Sequence, residues 1–198
     1  NGSSSQNQSA LSAGTYNVLV TDANGCSSSQ SVTISQPQDS ISGGVSSVDS
    51  VGCFGNATGN IDITITGGTS PYTYNWSNGS TNEDQQNVAA GNYNVLVTDA
   101  NGCTYSVSAV VGQPAAALSN SLSVQQNVNC FSGNNGSATS VVTGGTSPYT
   151  YYWSNGATGT TIDSLTAGIY QLTVTDANGC TATDSVEIAQ PSAALNAS

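Results

Sequence analysis

Residues 90–103, AGNYNVLVTDANGC, carry the clearest structural pattern in this chain. The first half of this stretch alternates apolar and polar residues, with Tyr93, Val95 and Val97 on one side, as in a β-strand that buries one face. Residues 99–102 then suit a type I turn closed by a left-handed glycine, and a second alternating run follows the turn. The stretch therefore predicts a β-hairpin.

The hairpin sequence occurs three times. Thr-Asp-Ala-Asn-Gly-Cys begins at Thr21, Thr98 and Thr175, so the copies follow one another with a constant 77-residue period. The stretch Gly-Gly-Thr-Ser-Pro-Tyr-Thr-Tyr begins at Gly67 and returns at Gly144, with the same period. A fixed period of this size indicates a row of similar small domains.

The period also predicts where the domains meet. Gln-Pro pairs mark the joints, with the prolines at Pro37, Pro114 and Pro191. The expected units are the C-terminal part of a truncated repeat, a second and a third repeat that are complete, and the start of the next one: residues 1–37, 38–114, 115–191 and 192–198. We expect the chain to be an excerpt of a longer array.

Each complete repeat contains at least four alternating strands, frequent turn signals and no helical pattern. One tryptophan per repeat, Trp76 and Trp153, lies on the apolar side of such a strand and is expected to be buried. Tyr93 stands near the start of the penultimate strand, where a tyrosine corner is found in immunoglobulin-like domains. The predicted fold is all-β: tandem immunoglobulin-like antiparallel β-sandwich repeats with a 77-residue period.

One strand of the third repeat is less apolar than its counterpart in the second. Ala138 and Ser140 stand where the second repeat has Ile61 and Ile63. We expect a less well filled core there, offset by larger residues in the last strand across the sandwich.

The composition excludes several classes of function. The chain of 198 residues has no Lys, Arg or His, and 11 acidic residues give a formal net charge of −11. Nucleic acids and anionic membranes are therefore not expected as partners, since binding them requires cations. No apolar run is long enough to cross a bilayer. A serine nucleophile would lack its usual base, so we predict that the protein is not an enzyme and takes no cofactor.

Five cysteines fall into two classes. Cys26, Cys103 and Cys180 follow the hairpin turn, whereas Cys53 and Cys130 lie near the start of a repeat. The favoured pairing is within repeats, Cys53 with Cys103 and Cys130 with Cys180, which places the partner of Cys26 outside the chain. Each bond would then constrain the unfolded state by about 4 kcal/mol.

A second pairing stays open, because spacing does not determine connectivity. It joins neighbouring repeats through Cys26 with Cys53 and Cys103 with Cys130. Zinc is not expected, since the chain has neither histidine nor a CxxC pair. Either disulfide pairing predicts an oxidising compartment outside the cytoplasm.

Two acidic features have simple structural interpretations. Glu83 and Asp84 form the only adjacent acidic pair, which we interpret as a solvated turn in preference to a glycosidase pair. Asp99 and Asn101, with their counterparts in the other copies, offer oxygens to calcium, but a role in forming the turn already accounts for them.

The aromatic residues fall into two groups, those expected to be buried and those that are candidates for surface contact. Tyr72, Tyr74 and Trp76 share one side of a strand, which favours burial over a sugar-stacking platform. Tyr105 and Tyr152 do not follow that pattern and are the better candidates for surface contact.

Asp-Ser followed by an apolar residue occurs four times and is similar to the O-glycan acceptor motif of Bacteroidota. The predicted acceptors are Ser40, Ser50, Ser164 and Ser185.

Three segments together resemble a known family. GGTSPYTYxWSNG, AGxYxVxVTDANGC and a strand that ends in QP are similar to the SprB-type repeat of Bacteroidota cell-surface adhesins. The resemblance spans both complete repeats and the partial one. It implies a secreted surface protein with long arrays of repeats, exported by the type IX system, and a role in gliding motility and adhesion. It supplies no catalytic residues.

We therefore predict a non-catalytic structural or adhesive segment of a long secreted bacterial surface protein, a stalk or filament. The expected partners are other repeats of the same parent chain, surface glycans or other cells, and filament assembly fits this role. Two alternatives remain: a repeated carbohydrate-binding module that uses Tyr105 and Tyr152, and accessory repeats of a large secreted enzyme.

Overall fold

The computed structural model describes residues 5–36 and 39–196, and the predicted joint at Pro37 lies outside these ranges. All regular structure within them is β, in five antiparallel sheets. The described ranges contain no helix that is long and apolar enough to cross a membrane. The prediction of an all-β fold is confirmed.

The strands follow the 77-residue period. The first two form a hairpin: β1 (Gly14–Thr21) and β2 (Ser27–Ile34). The next six lie in the second repeat: β3 (Ser42–Asp49), β4 (Gly59–Thr66), β5 (Thr73–Trp76), β6 (Gln85–Val88), β7 (Gly91–Thr98) and β8 (Thr104–Val111). The last six lie in the third: β9 (Ser119–Gln126), β10 (Gly136–Thr143), β11 (Thr150–Trp153), β12 (Thr161–Leu165), β13 (Gly168–Thr175) and β14 (Thr181–Ile188).

Each set of six strands forms a sandwich of two three-stranded sheets. Sheet β3-β4-β6 packs on sheet β5-β7-β8, and β9-β10-β12 packs on β11-β13-β14. Trp76 and Trp153 are buried in the centres of the two cores. Within a repeat, the first strand also lies beside the last strand. In the third repeat, for example, the Leu122 N–H of β9 donates to the Asp184 carboxylate of β14 at 3.0 Å. The architecture is the predicted immunoglobulin-like sandwich.

The predicted tyrosine corner is present. The Tyr93 hydroxyl donates to the carbonyl oxygen of Ala89 at 2.9 Å, four residues earlier and just before β7. The same contact occurs at the equivalent tyrosines, Tyr16 and Tyr170. This bond fixes the corner from which the hairpin strand begins.

The core of the third repeat is completed by a neighbour in the same sheet. In the second repeat, Ile61 of β4 pairs with Gln85 of β6. In the third, Ala138 of β10 pairs with Ile162 of β12, and Ile162 is buried. The isoleucine has therefore moved to the partner strand, which fills the space that Ala138 leaves. Ile188 of β14 is buried as well, as expected for the strand across the sandwich.

The β1–β2 hairpin has no second sheet against it among the described residues. Val18 and Val20 are 54% and 63% exposed, whereas their counterparts Val95 and Val97 in β7 are almost fully buried. The hairpin thus has the strand pattern of the end of a repeat, with its core face uncovered.

Candidate functional site, the joint between two repeats

The Asp-Ala-Asn-Gly-Cys turn is held together by its aspartate. The Asp176 N–H donates to the Cys180 carbonyl at 2.9 Å. One carboxylate oxygen of Asp176 accepts from the N–H groups of Asn178 and Cys180, and the other accepts from the Thr146 N–H, each at 2.9 Å. Gly179 adopts φ +81°, the left-handed conformation that the sequence predicts for this position. The turn is therefore a rigid unit attached to the preceding Gly-Gly segment.

This environment changes the acidity of the turn aspartates. Burial by itself raises the pKa of the Asp176 carboxyl, but the N–H groups that donate to the carboxylate outweigh it and lower the pKa below its usual value. The pKa of Asp99 is lowered in the same way, by donors at Cys103, Thr69 and Asn101. The charged form of each aspartate is part of the folded structure.

The same contacts bear on the calcium alternative. Both carboxylate oxygens of Asp99 already accept N–H groups, and the Asn101 amide donates to the Thr69 hydroxyl at 2.8 Å. Residues 5–36 and 39–196 hold no cluster of three or more His, Cys, Asp or Glu side chains suited to a metal ion. The geometry assigns Asp99 to turn formation.

The other cysteine class lies in a loop at the opposite end of the repeat. The Val51 N–H donates to the Gly112 carbonyl at 2.8 Å, and the Gly55 N–H donates to the side-chain oxygen of Gln113 at 2.9 Å. These bonds hold Cys53 next to the residues that follow β8. The Cys53 loop therefore lies at the joint with the third repeat.

The joint brings the third repeat's turn to the same place. The Gly145 N–H donates to the Ala116 carbonyl at 3.0 Å. A Cβ on Gly144, which has φ +68°, would lie 1.9 Å from the Ala117 carbonyl oxygen. Only glycine allows the joint to pass this close to the segment that holds the Asp176 turn. The turn is thereby fixed at the end of the third repeat that meets the second.

A disulfide crosses this joint. Cys53 of the second repeat is bonded to Cys180 of the third, with a Cα–Cα distance of 5.7 Å and a sequence separation of 127 residues. Beside it, the Asn178 side-chain amide donates to the Gly52 carbonyl oxygen at 2.9 Å. The two repeats are joined by a covalent bond and a hydrogen bond on the same loop.

The expected pairing within repeats is therefore wrong. Cys103 precedes β8 and Cys53 lies beyond its end, so the eight-residue strand, about 26 Å long at about 3.3 Å per residue, separates them. Disulfides need Cα atoms within about 7 Å. The same distance separates Cys130 from Cys180 in the third repeat.

The alternative pairing is also wrong, although it correctly placed bonds between repeats. Cys26, Cys103 and Cys130 are free and exposed. Cys103 lies at the end of the second repeat far from the third, and Cys130 lies at the far end of the third repeat. The prediction that Cys26 has its partner outside the chain stays a prediction.

A signal in the sequence indicated this arrangement. The chain enters each repeat at one joint and leaves it at the joint on the opposite end. The first strand therefore runs away from the entry joint, and the last strand runs in the same direction towards the exit joint. Cys53 follows the first strand and Cys103 precedes the last, so the two must lie at opposite ends. The Asn178–Gly52 contact had no comparable signal.

The other predicted site residues remain separate from the joint. Trp76 is buried and its indole N–H donates to the Asn82 carbonyl at 2.8 Å, which rules it out as a sugar platform. Burial and a hydrogen bond with Glu83 raise the pKa of Tyr74 to about 12. Asp84 accepts the Ile63 N–H at 3.0 Å, a structural role. Tyr152 is 66% exposed.

Tyr105, the other candidate for surface contact, is partly buried against the core of the second repeat. All four predicted acceptor serines are exposed: Ser40, Ser50, Ser164 and Ser185. Ser164 has φ +57° and donates to the neighbouring Asp163 carboxylate at 3.2 Å.

Comparison with known families identifies the repeated unit. The SprB repeat family matches residues 45–81 and residues 122–158, one segment in each complete repeat. Each complete repeat of the chain thus carries one SprB-type segment. Each matched segment includes the cysteine loop and the strand that carries the buried tryptophan, so the SprB repeat contributes one of the two cysteine classes.

Solved structures with similar folds share little sequence with these SprB repeats. Three domains of the Hoc outer capsid protein of bacteriophage RB49 match with 17% identity and a TM-score of 0.40, covering 75% of this chain and 59% of that one. An intimin fragment in complex with its translocated receptor matches with 13% identity and a TM-score of 0.42, covering 72% and 63%. A 1.5-MDa bacterial ice-binding adhesin matches with 14% identity and a TM-score of 0.33, covering 89% and 73%.

The chain spans less than two thirds of the first two of these structures. No curated protein matches it in sequence. The disulfide between the SprB repeats fits an oxidising, extracellular setting, because such bonds persist outside the reducing cytoplasm.

Proposed function

We propose that the chain is a load-bearing segment of a long surface adhesin, in which SprB repeats form a stalk that holds a binding region away from the cell. The single observation that carries the proposal is the Cys53–Cys180 bond, because it joins one repeat to the next at the joint where a pulled array would otherwise extend. The repeats themselves carry no role in catalysis in this proposal.

The position of the bond determines how the segment responds to force. Tension applied to the two ends of the chain passes from Cys53 directly to Cys180 and leaves the chain between them unloaded. That stretch contains β4 to β13, including both buried tryptophans. An intact disulfide therefore allows only the flanking segments to extend.

Single-molecule force spectroscopy tests this role. The sequence separation of 127 residues between the bonded cysteines corresponds to about 440 Å of extended chain at about 3.5 Å per residue. We expect the fully unfolded oxidised chain to be shorter than the reduced chain by about that length. A Cys53→Ser variant is expected to have the reduced length under both conditions, whereas Cys26→Ser should behave as the unaltered chain. Equal lengths with and without reductant would contradict the proposal.

The parent protein is, in this proposal, a gliding-type adhesin of the Bacteroidota, exported by the type IX system. The repeat composition supports this assignment: the chain resembles such adhesins in its motifs and contains their named repeat. Its expected partners are further repeats of the same chain, surface glycans and other cells. Antibody raised against this chain should label intact cells and fail to label cells that lack type IX secretion.

Glycan attachment to the stalk is a second element of the proposal. The four Asp-Ser serines are exposed, as an acceptor must be: Ser40, Ser50, Ser164 and Ser185. Protein purified from its native cell should exceed the polypeptide mass, and the excess should map to these serines. A native mass equal to that of the bare polypeptide would contradict glycosylation.

Sugar binding by the repeats themselves is the competing function, and the exposure of Tyr152 is the observation that favours it. Stacking on an aromatic ring is a common way to hold a sugar. Binding on a glycan array that is lost in Tyr152→Ala and kept in Tyr105→Ala would support this function. Absence of glycan binding by the unaltered chain would eliminate sugar binding and leave the stalk role as the proposed function.

A further inference from the structure

The free cysteines Cys103 and Cys130 lie in the same local structures as the two bonded ones. The Val128 N–H donates to the Ala189 carbonyl at 2.9 Å, as Val51 does to Gly112. The Ser132 N–H donates to the side-chain oxygen of Gln190 at 2.9 Å, as Gly55 does to Gln113. The loop around Cys130 is therefore already in the conformation that holds Cys53 at its bond.

The turn around Cys103 matches that of Cys180 in the same way. The Asp99 N–H donates to the Cys103 carbonyl, and the Cys103 N–H donates to the Asp99 carboxylate, at 2.9 and 2.8 Å. The Asn101 amide donates to the Thr69 hydroxyl as the Asn178 amide donates to the Thr146 hydroxyl, but among the described residues it meets no carbonyl from another repeat. Each free thiol is thus one preformed half of the bond seen at Cys53 and Cys180.

The counterpart of Gly52 in the next loop is Asn129, and the joint has room for the Cβ atom that a residue other than glycine brings to this position. A Cβ placed on Gly52 would lie 3.6 Å from the Cβ of Asn178, which is ordinary contact. The main-chain carbonyl that accepts the asparagine amide is kept.

We propose that every loop cysteine bonds the turn cysteine of the repeat that follows it, always at the sequence separation of 127 that Cys53 and Cys180 have, so that an array contains two parallel covalent paths. Cys130 then bonds the turn of a following repeat, and Cys103 bonds the loop of a preceding one. The inference rests on the proposed function only in requiring further repeats in the parent chain.

The two paths follow from the positions of the cysteines. The first path crosses from Cys53 to Cys180 by the disulfide and then follows the backbone to the next loop cysteine. The second follows the backbone from Cys103 to Cys130 and crosses from there by the equivalent bond. The stretches 53–103 and 130–180 connect the two paths. Breaking any one peptide bond or one disulfide leaves the other path intact.

Each new bond forms by oxidation of two thiols. The two cysteines lose two protons and two electrons, and a small-molecule disulfide such as oxidised glutathione accepts both and becomes two thiols. Outside the cytoplasm this reaction runs towards the protein disulfide.

A chain extended by one repeat tests the pairing. A second copy of residues 115–191 is inserted after Pro191, and Phe131→Tyr and Thr181→Ser in the original repeat make its cysteine peptides differ in mass from those of the copy. The protein is folded with oxidised and reduced glutathione, and unreduced peptides are mapped by mass spectrometry. We expect Cys53 bonded to Cys180 and Cys130 bonded to the turn cysteine of the added copy. Cys130 found as a free thiol, or bonded within its own repeat, would overturn the inference.

The absence of Lys and Arg allows the two paths to be tested by a single cut. Thr158→Lys places one trypsin site in an exposed segment between Cys130 and Cys180. In the extended chain, both disulfides bridge this site. The protein is cleaved with trypsin and then denatured without reductant. The two fragments should stay joined in the Cys53→Ser variant and in the Cys130→Ser variant, because one disulfide remains in each. They should separate in the variant that carries both substitutions. Reductant should separate them in every case.

The chain without the added repeat is the matched control. There Cys130 has no partner, so Cys53→Ser alone should release the fragments of the Thr158→Lys protein. Release in the extended chain as well would show that the second path does not form. The force measurement on the original chain is independent of this result, so the stalk role and the two-path arrangement can fail separately.

Discussion

The side-chain amide of Asn178 donates a hydrogen bond to the carbonyl oxygen of Gly52 in the preceding repeat, at 2.9 Å. Asn178 is the third residue of the turn that ends in Cys180, and Gly52 directly precedes Cys53. The hydrogen bond therefore aligns the two peptides that carry the bonded sulfurs. Turn chemistry, which in most hairpins serves only to reverse the chain, here also orients a contact between domains.

Loss of the Asn178 amide should weaken the Cys53–Cys180 bond. Asn178→Ala removes a hydrogen bond worth about 1 kcal/mol, which corresponds to about a fivefold lower equilibrium constant for disulfide formation against glutathione. Asn101→Ala is the control, because Asn101 makes the same contact within its repeat and, in the ranges that the structure describes, none across the joint. Equal effects of the two variants would show that the Gly52 contact contributes nothing.

Acid should destabilise the repeats through the turn aspartates. The pKa of Asp176 is lowered in the folded state, so its stabilising contribution is fully present above the ordinary value of 3.8 and is lost as the pH falls through the lowered pKa. Thermal melts should show a midpoint that falls as the pH drops below that ordinary value, and less steeply in Asp176→Asn. Glu187→Gln, on the exposed side of β14, is the control and should keep the full dependence.

Exchange of two core residues should restore most of the stability that either change removes. Ile162→Ala leaves a cavity and should cost about 2–5 kcal/mol, and Ala138→Ile alone overfills the strand pair and should cost about 1–3 kcal/mol. The double variant conserves volume and resembles the arrangement of Ile61 in the second repeat. Urea unfolding should give a double-variant cost well below the sum of the two single costs. Strict additivity would show that the two side chains do not share one space.

The tyrosine corner should contribute a measurable amount to each repeat. Tyr170→Phe keeps the ring and removes the hydroxyl that donates to the Thr166 carbonyl at 3.1 Å. We expect a loss of about 0.5–1.5 kcal/mol in the free energy of unfolding. Tyr152→Phe removes an exposed hydroxyl and should change the stability by less than about 0.5 kcal/mol. A loss in Tyr152→Phe as large as that in Tyr170→Phe would contradict a specific role for the corner.

Much of the fold could be predicted because it depends on local chemistry. Alternation at Tyr93, Val95 and Val97 indicates one buried face, and the turn after it demands glycine at a left-handed position, so the hairpin follows from neighbouring residues alone. The burial of Trp76 and the tyrosine corner follow from the same alternation. The 77-residue period then repeats each of these local results.

The repeat, the strands, the buried face and the two classes of cysteine follow from the order of the residues alone. The choice of cysteines that meet depends on the three-dimensional arrangement, because a disulfide requires a short distance between Cα atoms and that distance depends on how whole strands and whole repeats are placed. Strand β8 separates Cys103 from Cys53, and the Gly144–Gly145 segment brings Cys180 to Cys53 across the joint. Cysteines at a sequence separation of 127 are thus neighbours, while cysteines within one repeat are not.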